Sequence, residues 1–466
     1  MTSELTRLSA VRQRELLDAG EISAVELVRA ALDRVEQLNP TLNAVVTRND
    51  AALEDALHVD EARARGEDPG PLAGLPVGIK DVTPVAGLRT TYGSTLYTDH
   101  VPEQDALVVE RLRRAGAIIL GKTNTPEFAT GGNTFNEVFG RTGNPWNPDR
   151  SAGGSTGGGA CALASGMISL AEGTDLGGSL RIPASFCGVV GLRPSPGLIP
   201  TWPSEFLADD LQVTGTMART AEDIALSLDA LSGPSRRVPV HQPNANRRFA
   251  EGVRNASLQG LRIAYTPDLA SVGIDADIEQ SCRKAALELR QEGAIVEEID
   301  FDLAFAKQAF LALRGMWMVA QQHRRLDRLE EFGDNLKGNV KAGLKVTALD
   351  IARAQADRAQ TIERMLGFFE HYDLLATPSM AVSPFPVTEN YPTTVGGREM
   401  ETYVDWIAPT FVLSLTALPV ASVPVGLDRG GMPCGLQLVG PAFGEERVLG
   451  AAQRIQEARP MGLPGS

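Results

Sequence analysis

Residues 151–194 read SAGGSTGGGACALASGMISLAEGTDLGGSLRIPASFCGVVGLRP, and this stretch limits the possible folds and functions most strongly. Two Gly-Gly-Ser loops carry Ser155 and Ser179, and a helix-like Ala/Met/Leu segment separates them. Glycine loses more backbone freedom on folding than any other residue, so a glycine-dense segment indicates a backbone that approaches another group closely. Serine hydroxyls flanked by backbone N–H groups suit acyl transfer. The segment therefore predicts a serine hydrolase.

The overall composition is that of a soluble globular enzyme. The chain has 466 residues, of which 43% are hydrophobic and 22% are charged, and its formal net charge is −14. An acidic chain disfavours nucleic acid or an anionic membrane as a partner. The N-terminal segment is too charged for a signal peptide, so we expect a cytoplasmic protein. The four cysteines are widely spaced and indicate neither a zinc site nor a disulfide framework.

Helix-like and strand-like segments alternate along the chain. Ser23 and Glu26 form a capping box, and the helix that follows is expected to stop at Asn39-Pro40. Strands are predicted at 76–81, 117–120, 262–265, 295–299, 374–376, 420–425 and 436–439. Helices are predicted at 105–114, 222–231, 278–291, 348–369 and 445–456. This alternation predicts an α/β fold, with a large mixed, mainly parallel central sheet covered by helices on both faces.

One segment interrupts this alternation. Residues 232–255 are polar, basic and rich in proline, which predicts an exposed loop between an N-terminal and a C-terminal half. Length alone allows about three domains. Because strands are predicted on both sides of the loop, we expect residues 1–466 to form a single domain that contains segment 151–194.

A serine nucleophile needs a base, and the sequence offers a lysine rather than a histidine. None of the five histidines lies near the glycine loops in sequence. Lys80 instead ends the apolar run 75–79, which is predicted to be a buried strand. Burial lowers the pKa of an amine and favours the neutral form that a general base requires. A lysine at a strand end that reaches solvent is the alternative, and residue type alone leaves both open.

The glycine loops also match two other motifs in part. Gly153-Gly-Ser155-Thr-Gly157 satisfies the nucleophile-elbow pattern GxSxG, which requires a strand immediately before it. Residues 143–149 (GNPWNPD) are rich in turn-forming residues and cannot form that strand. No lysine follows the glycines, so the segment is not a phosphate-binding P-loop. Simple packing of glycines under a helix is disfavoured because two such loops lie so close together.

Taken together, these motifs resemble the amidase signature family. The usual GGSSGG of that family is GGSTGG here, followed by GTDLGGSLRIPASFCGVVGLRP. The segments PLAGLPVGIKD, ILGKTNTPEFATGG, GRTGNPWNPDRSAGGS, ALPVASVPVGL and GLQLVGP are similar to family segments as well. The similarity extends over nearly the whole chain, and it implies the amidase signature fold.

The resemblance implies a role for each residue of a catalytic triad. Ser179 would be the nucleophile, Ser155 the bridging serine after a cis peptide bond, and Lys80 the base, as in the Ser–Lys variants of the catalytic triad. The backbone N–H groups of the oxyanion hole would come from four residues: Leu176, Gly177, Gly178 and Ser179.

The resemblance also implies supporting residues. Thr174 and Asp175 would hold the second loop by hydrogen bonds, and Arg181 would be a structural pin for it. Thr156 replaces the usual second serine, and its hydroxyl is able to donate the same bond. Arg193 replaces a common lysine, at a position to which we assign no chemistry.

The activity that the resemblance implies is hydrolysis of a carboxylic amide, a C–N bond other than a peptide bond, through an acyl-enzyme. Ammonia or an amine would be released, with no metal and no cofactor, and the partner would be a small-molecule amide. A homodimer is compatible with the sequence. One alternative is an amidotransferase A-type subunit, which passes ammonia to a partner subunit that acts on charged tRNA. The acidic net charge of the chain disfavours this alternative, because it indicates no basic surface for nucleic acid. The other is an inactive binding protein, which the intact Lys80, Ser155 and Ser179 disfavour.

The identity of the amide does not follow from the sequence. In this family the acyl pocket comes from variable segments, here 130–135, 201–207 and 316–318. The candidate substrate-binding residues are Thr130, Gly131, Gly132, Phe135, Trp202 and Trp317. Their aromatic members suit an apolar or aromatic acyl group, and a role in the core is equally open for each.

Overall fold

The computed structural model describes residues 2–242 and 247–465, and its centre is one large sheet. The strands of the described ranges are β1 (Val45–Arg48), β2 (Pro76–Lys80), β3 (Ile118–Thr123), β4 (Phe135–Asn136), β5 (Gly140–Arg141), β6 (Leu170–Asp175), β7 (Val190–Arg193), β8 (Val213–Ala218), β9 (Arg262–Tyr265), β10 (Ile295–Glu298), β11 (Leu374–Pro378), β12 (Thr394–Val395), β13 (Arg398–Glu399), β14 (Val420–Leu427) and β15 (Pro433–Val439). Eleven of them form a sheet in the order β1-β3-β2-β6-β8-β7-β14-β15-β11-β9-β10.

Within the described ranges, helices contain more residues than strands do. The α-helices are α1 (Thr2–Leu5), α2 (Ala10–Asp18), α3 (Ala24–Leu42), α4 (Ala52–Ala64), α5 (Leu107–Arg114), α6 (Gly157–Ala164), α7 (Arg181–Cys187), α8 (Ala221–Leu231), α9 (Phe249–Arg254), α10 (Ala276–Glu288), α11 (Lys307–Gln322), α12 (Asp334–Gly343), α13 (Ala348–Phe369), α14 (Ala408–Ser414) and α15 (Glu445–Ala458). Short 3₁₀ segments occur at Thr95–Tyr97, Glu127–Ala129, Leu289–Glu292, Ala304–Ala306, His323–Glu331 and Asp405–Ile407. Within the described ranges, no helix combines the length and apolarity that a membrane span requires.

The sheet is mixed, as predicted, but it is not mainly parallel. The pairs β2/β3, β2/β6, β9/β10 and β9/β11 are parallel, whereas the other six neighbouring pairs are antiparallel. Helices α5 and α10 provide the crossovers that the parallel pairs β2/β3 and β9/β10 need. Strands β14 and β15 are instead joined by a tight turn at 428–432, which enforces an antiparallel hairpin.

Helices cover both faces of the sheet, which confirms the predicted α/β architecture. Adjacent residues of one strand belong to different cores: Leu374 packs in one hydrophobic cluster and Leu375 in the other. Successive side chains of a strand point to opposite faces, so at β11 the two clusters lie on opposite faces of the sheet. Residues of α3, α8, α10 and α15 fill the first cluster, and residues of α11, α13 and α14 fill the second.

Two predicted boundaries are wrong, each for a local reason. Helix α3 has the predicted capping box, but it continues past Pro40 to Leu42 and ends where Asn43 adopts a left-handed conformation. A proline in the last turn removes only one intrahelical hydrogen bond, so it does not stop the helix there. The predicted loop 232–255 is helical at Phe249–Arg254, because Phe249 and Val253 bury their side chains against the core. Residues 243–246 of that predicted loop lie outside the described residues.

Candidate active site

Strand β2 places the amine of Lys80 at the centre of the site. All five residues of β2 are buried between β3 and β6, and the side chain of Lys80 is 0% exposed. Its Nζ lies 2.6 Å from Ser155 Oγ and 3.1 Å from Thr174 Oγ1. Parallel strands end at the same edge of a sheet, so the end of β6 brings Thr174 to Lys80. The structure thus brings together groups that lie far apart in sequence.

The surroundings of Lys80 favour a neutral amine. Burial lowers its pKa to about 7, against the opposing attraction of the Glu172 and Asp175 carboxylates. Removing an ammonium group from water disfavours its charged form, so the group loses its proton at a lower pH. Near neutral pH the amine is therefore able to accept a proton from the hydroxyl beside it.

Ser155 lies on the first glycine loop, immediately before α6. It is fully buried, and the peptide bond between Gly154 and Ser155 is cis. Gly154 leaves no room for a side chain, because a Cβ there would lie 2.7 Å from the carbonyl oxygen of Gly131. The backbone N–H of Thr156 donates to the carbonyl oxygen of Ser179 at 3.2 Å. This bond joins the two serine loops directly.

Ser179 lies on the second loop, between β6 and α7, and is the more accessible of the two serines. It is half-buried, and its hydroxyl makes no hydrogen bond within the described part of the chain. Asp175 fixes the loop around it, because its carboxylate accepts from the N–H of Gly178 at 2.9 Å and from that of Leu180 at 3.1 Å. This agrees with the supporting role expected for Asp175.

Three of the four predicted oxyanion donors are available. The N–H groups of Leu176, Gly177 and Ser179 donate to no acceptor in the described ranges. The N–H of Gly178 is already used by Asp175, so in this structure it does not point at an open acceptor position. Gly178, with a φ of +120°, adopts a backbone conformation that favours glycine, and its hydrogen bond to Asp175 does not support the predicted role as an oxyanion donor.

A buried ion pair anchors the second loop. Arg181 donates to both carboxylate oxygens of Asp175, at 2.9 and 3.1 Å, and to the carbonyl oxygen of Thr410 at 2.7 Å. Arg193 donates to the carbonyl oxygen of Asp175 at 2.6 Å. Burial alone would raise the pKa of Asp175, but the two guanidinium groups hold it well below its ordinary value. Arg181 makes the contacts expected of a structural pin, and Arg193 makes contacts of the same kind, which the sequence did not reveal.

Two threonines differ from expectation. Thr156 was expected to donate the same hydrogen bond as the serine that the family usually has at this position. Its buried Oγ1 has no hydrogen-bond partner among the described residues. Thr174 was expected to hold the second loop, but its hydroxyl contacts Lys80 instead. Successive side chains of β6 point to opposite faces of the sheet, so Thr174 lies on the face of the Lys80 amine and Asp175 lies on the other face, with Arg181 of α7.

A second buried lysine lies beneath the site and was missed from the sequence. Lys122 of β3 donates to Thr83 O and to Thr90 Oγ1, and its Nζ lies 4.0 Å from the Asp81 carboxylate. Burial lowers the pKa of Lys122 to about 8. Glu172 closes this cluster by accepting from the Lys80 N–H at 3.1 Å. The sequence feature that could have revealed it is a lysine within the otherwise uncharged segment ILGKTN, residues 119–124.

All five histidines fall within the described ranges, and none contacts Lys80 or either serine. His58, His241, His323 and His371 are exposed at the surface. The half-buried His100 packs against the rings of Tyr92 and Tyr97. The basic side chain in contact with a serine of this site is therefore that of Lys80.

The predicted substrate-binding residues divide into three groups. Trp202 and Trp317 line a cavity of about 420 Å³ that also reaches Thr174. Thr130 and Phe135 line a different cavity of about 510 Å³, where Arg141 stacks on the Phe135 ring.

The third group consists of Gly131 and Gly132, which lie where the packing leaves little room for a side chain. The backbone of Gly131 contacts Gly154, and a Cβ at Gly132 would lie 2.6 Å from the Trp406 ring. Both glycines therefore let other groups approach closely and form no wall of the 420 Å³ cavity.

This fold and site combine a buried lysine with two serines on glycine-rich loops, and comparison with known proteins identifies the family. The Amidase family model matches residues 26–449. An acylamidase of Rhodococcus erythropolis is 34% identical over 460 residues, covering 97% of this chain and 96% of that protein. The Glutamyl-tRNA(Gln) amidotransferase of Carboxydothermus hydrogenoformans has an A-type subunit that is 35% identical over 483 residues, covering 97% of this chain and 98% of that protein.

The solved structures agree. A bacterial aryl acylamidase of the amidase signature family superimposes with a TM-score of 0.90 at 29% identity, covering 98% of this chain and 97% of that one. The chain belongs to the amidase signature family.

Proposed function

We propose that this protein is an amidase that cleaves a carboxylic amide with Ser179 as nucleophile, Ser155 as bridging serine and Lys80 as base. The observation that carries the proposal is the 2.6 Å contact between Lys80 Nζ and Ser155 Oγ, in a buried site whose other serine is accessible. Desolvation makes the Lys80 amine a base near neutral pH, and the bond between the two loops keeps the serines together.

The reaction follows from these positions. Lys80 takes the proton of Ser155, Ser155 takes the proton of Ser179, and Ser179 Oγ attacks the carbonyl carbon. The N–H groups of Leu176, Gly177 and Ser179 stabilise the negative oxygen that develops. The relay then returns the proton to the leaving nitrogen, so ammonia or an amine departs and an ester at Ser179 remains. Water hydrolyses this ester through the same relay.

The relatives support an amide substrate with an apolar part. The similar proteins include an acylamidase and an aryl acylamidase, which are named for cleaving acyl amides. The cavity beside the base presents the rings of Trp202 and Trp317, which suit an apolar or aromatic group. We therefore expect hydrolysis of C–N bonds other than peptide bonds.

Similarity to amidotransferase subunits favours one second candidate. A subunit of that kind would produce ammonia for a partner acting on charged tRNA, and the 35% identity to such a subunit supports it. The two candidates differ in whether the isolated chain is a complete catalyst. The subunit function requires a partner protein, whereas an amidase does not.

One experiment separates them. The purified chain, without partner or tRNA, is given aliphatic, aryl and amino-acid amides, and the released ammonia or amine is measured. We expect turnover by the wild type, none by Ser179→Ala, and wild-type turnover by Ser257→Ala, since Ser257 is an exposed surface serine. Turnover that appears only with a copurified partner protein would favour the subunit function instead.

A further inference from the structure

The 420 Å³ cavity beside Lys80 extends away from the proposed reaction centre. At one end it reaches Thr174, whose hydroxyl lies 3.1 Å from Lys80 Nζ. Its walls include the aromatic rings of Tyr92, Phe128 and Trp317. Its volume falls within the range of small-molecule sites, about 300–1,000 Å³. On the proposed function, a substrate whose amide lies beside Lys80 would extend past Thr174 into this cavity.

A guanidinium group lines the same cavity at a fixed position. Arg325 Nε donates to the Tyr97 hydroxyl at 2.7 Å, and Nη1 donates to the carbonyl oxygen of Gln321 at 3.1 Å. The group also stacks on the rings of Tyr97 and Phe128, at 5.4 and 5.2 Å from their centroids. These contacts hold the cation in place without neutralising it.

Arg325 has unused binding capacity. No Asp or Glu oxygen of the described ranges lies within 4.0 Å of it, and its Nη2 makes no hydrogen bond there. The adjacent Arg324 is exposed and pairs with Glu205 at 3.5 Å, so the Glu205 carboxylate is already engaged. The other acid on the cavity wall, Glu172, hydrogen-bonds Thr83 and the Lys80 N–H. An unpaired positive charge therefore faces the cavity.

From these contacts we infer that Arg325 binds a carboxylate of the substrate, so the preferred substrates are amides that carry a carboxylate away from the scissile bond. This inference rests on the proposed function and adds the class of substrate. Guanidinium N–H groups suit a planar carboxylate, and a partly desolvated site strengthens the contact. The aromatic walls would hold the apolar segment between the amide and the carboxylate.

Two pairs of substrates test the inference. On the acyl side, the anilide of glutaric acid is compared with pentanoyl anilide; on the amine side, an N-acyl 4-aminobenzoate is compared with the corresponding anilide. In at least one pair we expect wild-type kcat/KM to be tenfold or more higher for the carboxylated member, chiefly through KM. Arg325→Gln should remove this preference and leave the neutral member within about twofold, whereas Arg325→Lys should retain part of it because the charge remains.

The matched control is Arg328→Gln on the same 3₁₀ segment, since Arg328 is exposed and pairs with Glu331 at 2.7 Å. It should keep the wild-type preference. The inference is overturned if the wild type shows no preference in either pair, or if Arg325→Gln weakens both members equally.

Binding gives a readout that does not depend on turnover. The Kd of both pairs is measured by calorimetry on Ser179→Ala and on Ser179→Ala combined with Arg325→Gln. We expect the first protein to bind a carboxylated member at least tenfold more tightly than its neutral partner, and the second to lose this difference. Equal Kd values in the first protein, or the same difference in both proteins, would overturn the inference even if the wild type hydrolyses amides. A difference that is present in the first protein and absent in the second would support it even if the wild type hydrolyses none.

Discussion

At the scale of single residues, the proposed mechanism depends on one lysine whose pKa is lowered by burial. Lys80 is completely enclosed, and its nearest hydroxyls belong to Ser155 and Thr174. Desolvation dominates over the attraction of nearby carboxylates and lowers its pKa to about 7. An exposed lysine, with a pKa near 10.4, would be almost fully protonated at neutral pH and a poor base.

The first prediction concerns pH dependence. Because the neutral amine is the active form, kcat/KM should rise as the pH increases through about 7 and then stay level into the alkaline range. Lys80→Ala should lose more activity than Ser155→Ala, since water is able to replace part of a bridging hydroxyl but not the base. His100→Ala is the control and should keep the wild-type profile. Activity that survives Lys80→Ala but is lost in His100→Ala would contradict this assignment.

The second prediction concerns the ion pair of Asp175. Asp175→Asn leaves two buried guanidinium groups without their counter-charge, which should lower the free energy of unfolding by about 3–5 kcal/mol. Asp210→Asn is the matched control: its carboxylate also binds an arginine, Arg358, but is 49% exposed, so about 0–1 kcal/mol is expected. Urea unfolding of both variants measures the difference, and equal losses would contradict the structural role given to Asp175.

The same pair predicts how stability responds to acid. The folded-state pKa of Asp175 is held below its ordinary value, so unfolding takes up a proton at acidic pH. Its contribution to stability is complete above the unfolded pKa of about 3.9 and is lost as the pH falls through the folded value. The acid-induced drop in the free energy of unfolding should therefore be smaller in Asp175→Asn than in the wild type. A drop of equal size in both proteins would contradict it.

At the scale of elements, two helical glycines illustrate how packing decides the effect of one methyl group. A Cβ at Gly158 of α6 would lie 2.3 Å from the Asn124 backbone nitrogen, whereas a Cβ at Gly338 of α12 would meet nothing within 4 Å. Gly158→Ala should therefore destabilise the protein by about 1–3 kcal/mol or more. Gly338→Ala should stabilise it by about 0.5–1 kcal/mol through helix propensity. Thermal unfolding checks both, and similar effects of the two changes would contradict the packing around α6.

Elements with strong local patterns could be predicted from the sequence, and those without could not. Helix α13 and strand β9 have the predicted bounds, because a capping box begins the helix and the strand is a short apolar run, Ile-Ala-Tyr, after an arginine. Strands β6, β7 and β8 were not predicted. Strands β6 and β8 are rich in Gly, Ala and Thr, and β7 has only four residues, so only their neighbours in the sheet make them strands.

At the scale of the whole molecule, the sheet determines which residues meet. Strand direction depends on how distant segments pair, so the antiparallel pairs at the centre of the sheet had no signal in one sequence. The same reason explains the site: Lys80, Ser155 and Ser179 could be predicted from motifs, whereas the cluster of Asp81, Lys122 and Glu172 forms only when β2, β3 and β6 lie side by side.

The central claim is that an acyl group is transferred to Ser179. An activated aryl ester or amide is mixed with the purified chain, the reaction is quenched in acid, and the modified peptide is identified by mass spectrometry. The account predicts an added acyl mass on the peptide that contains Ser179, absent in Ser179→Ala and present in Ser257→Ala. An acyl mass on Ser155 or on another residue, or turnover by Ser179→Ala at the wild-type rate, would contradict it.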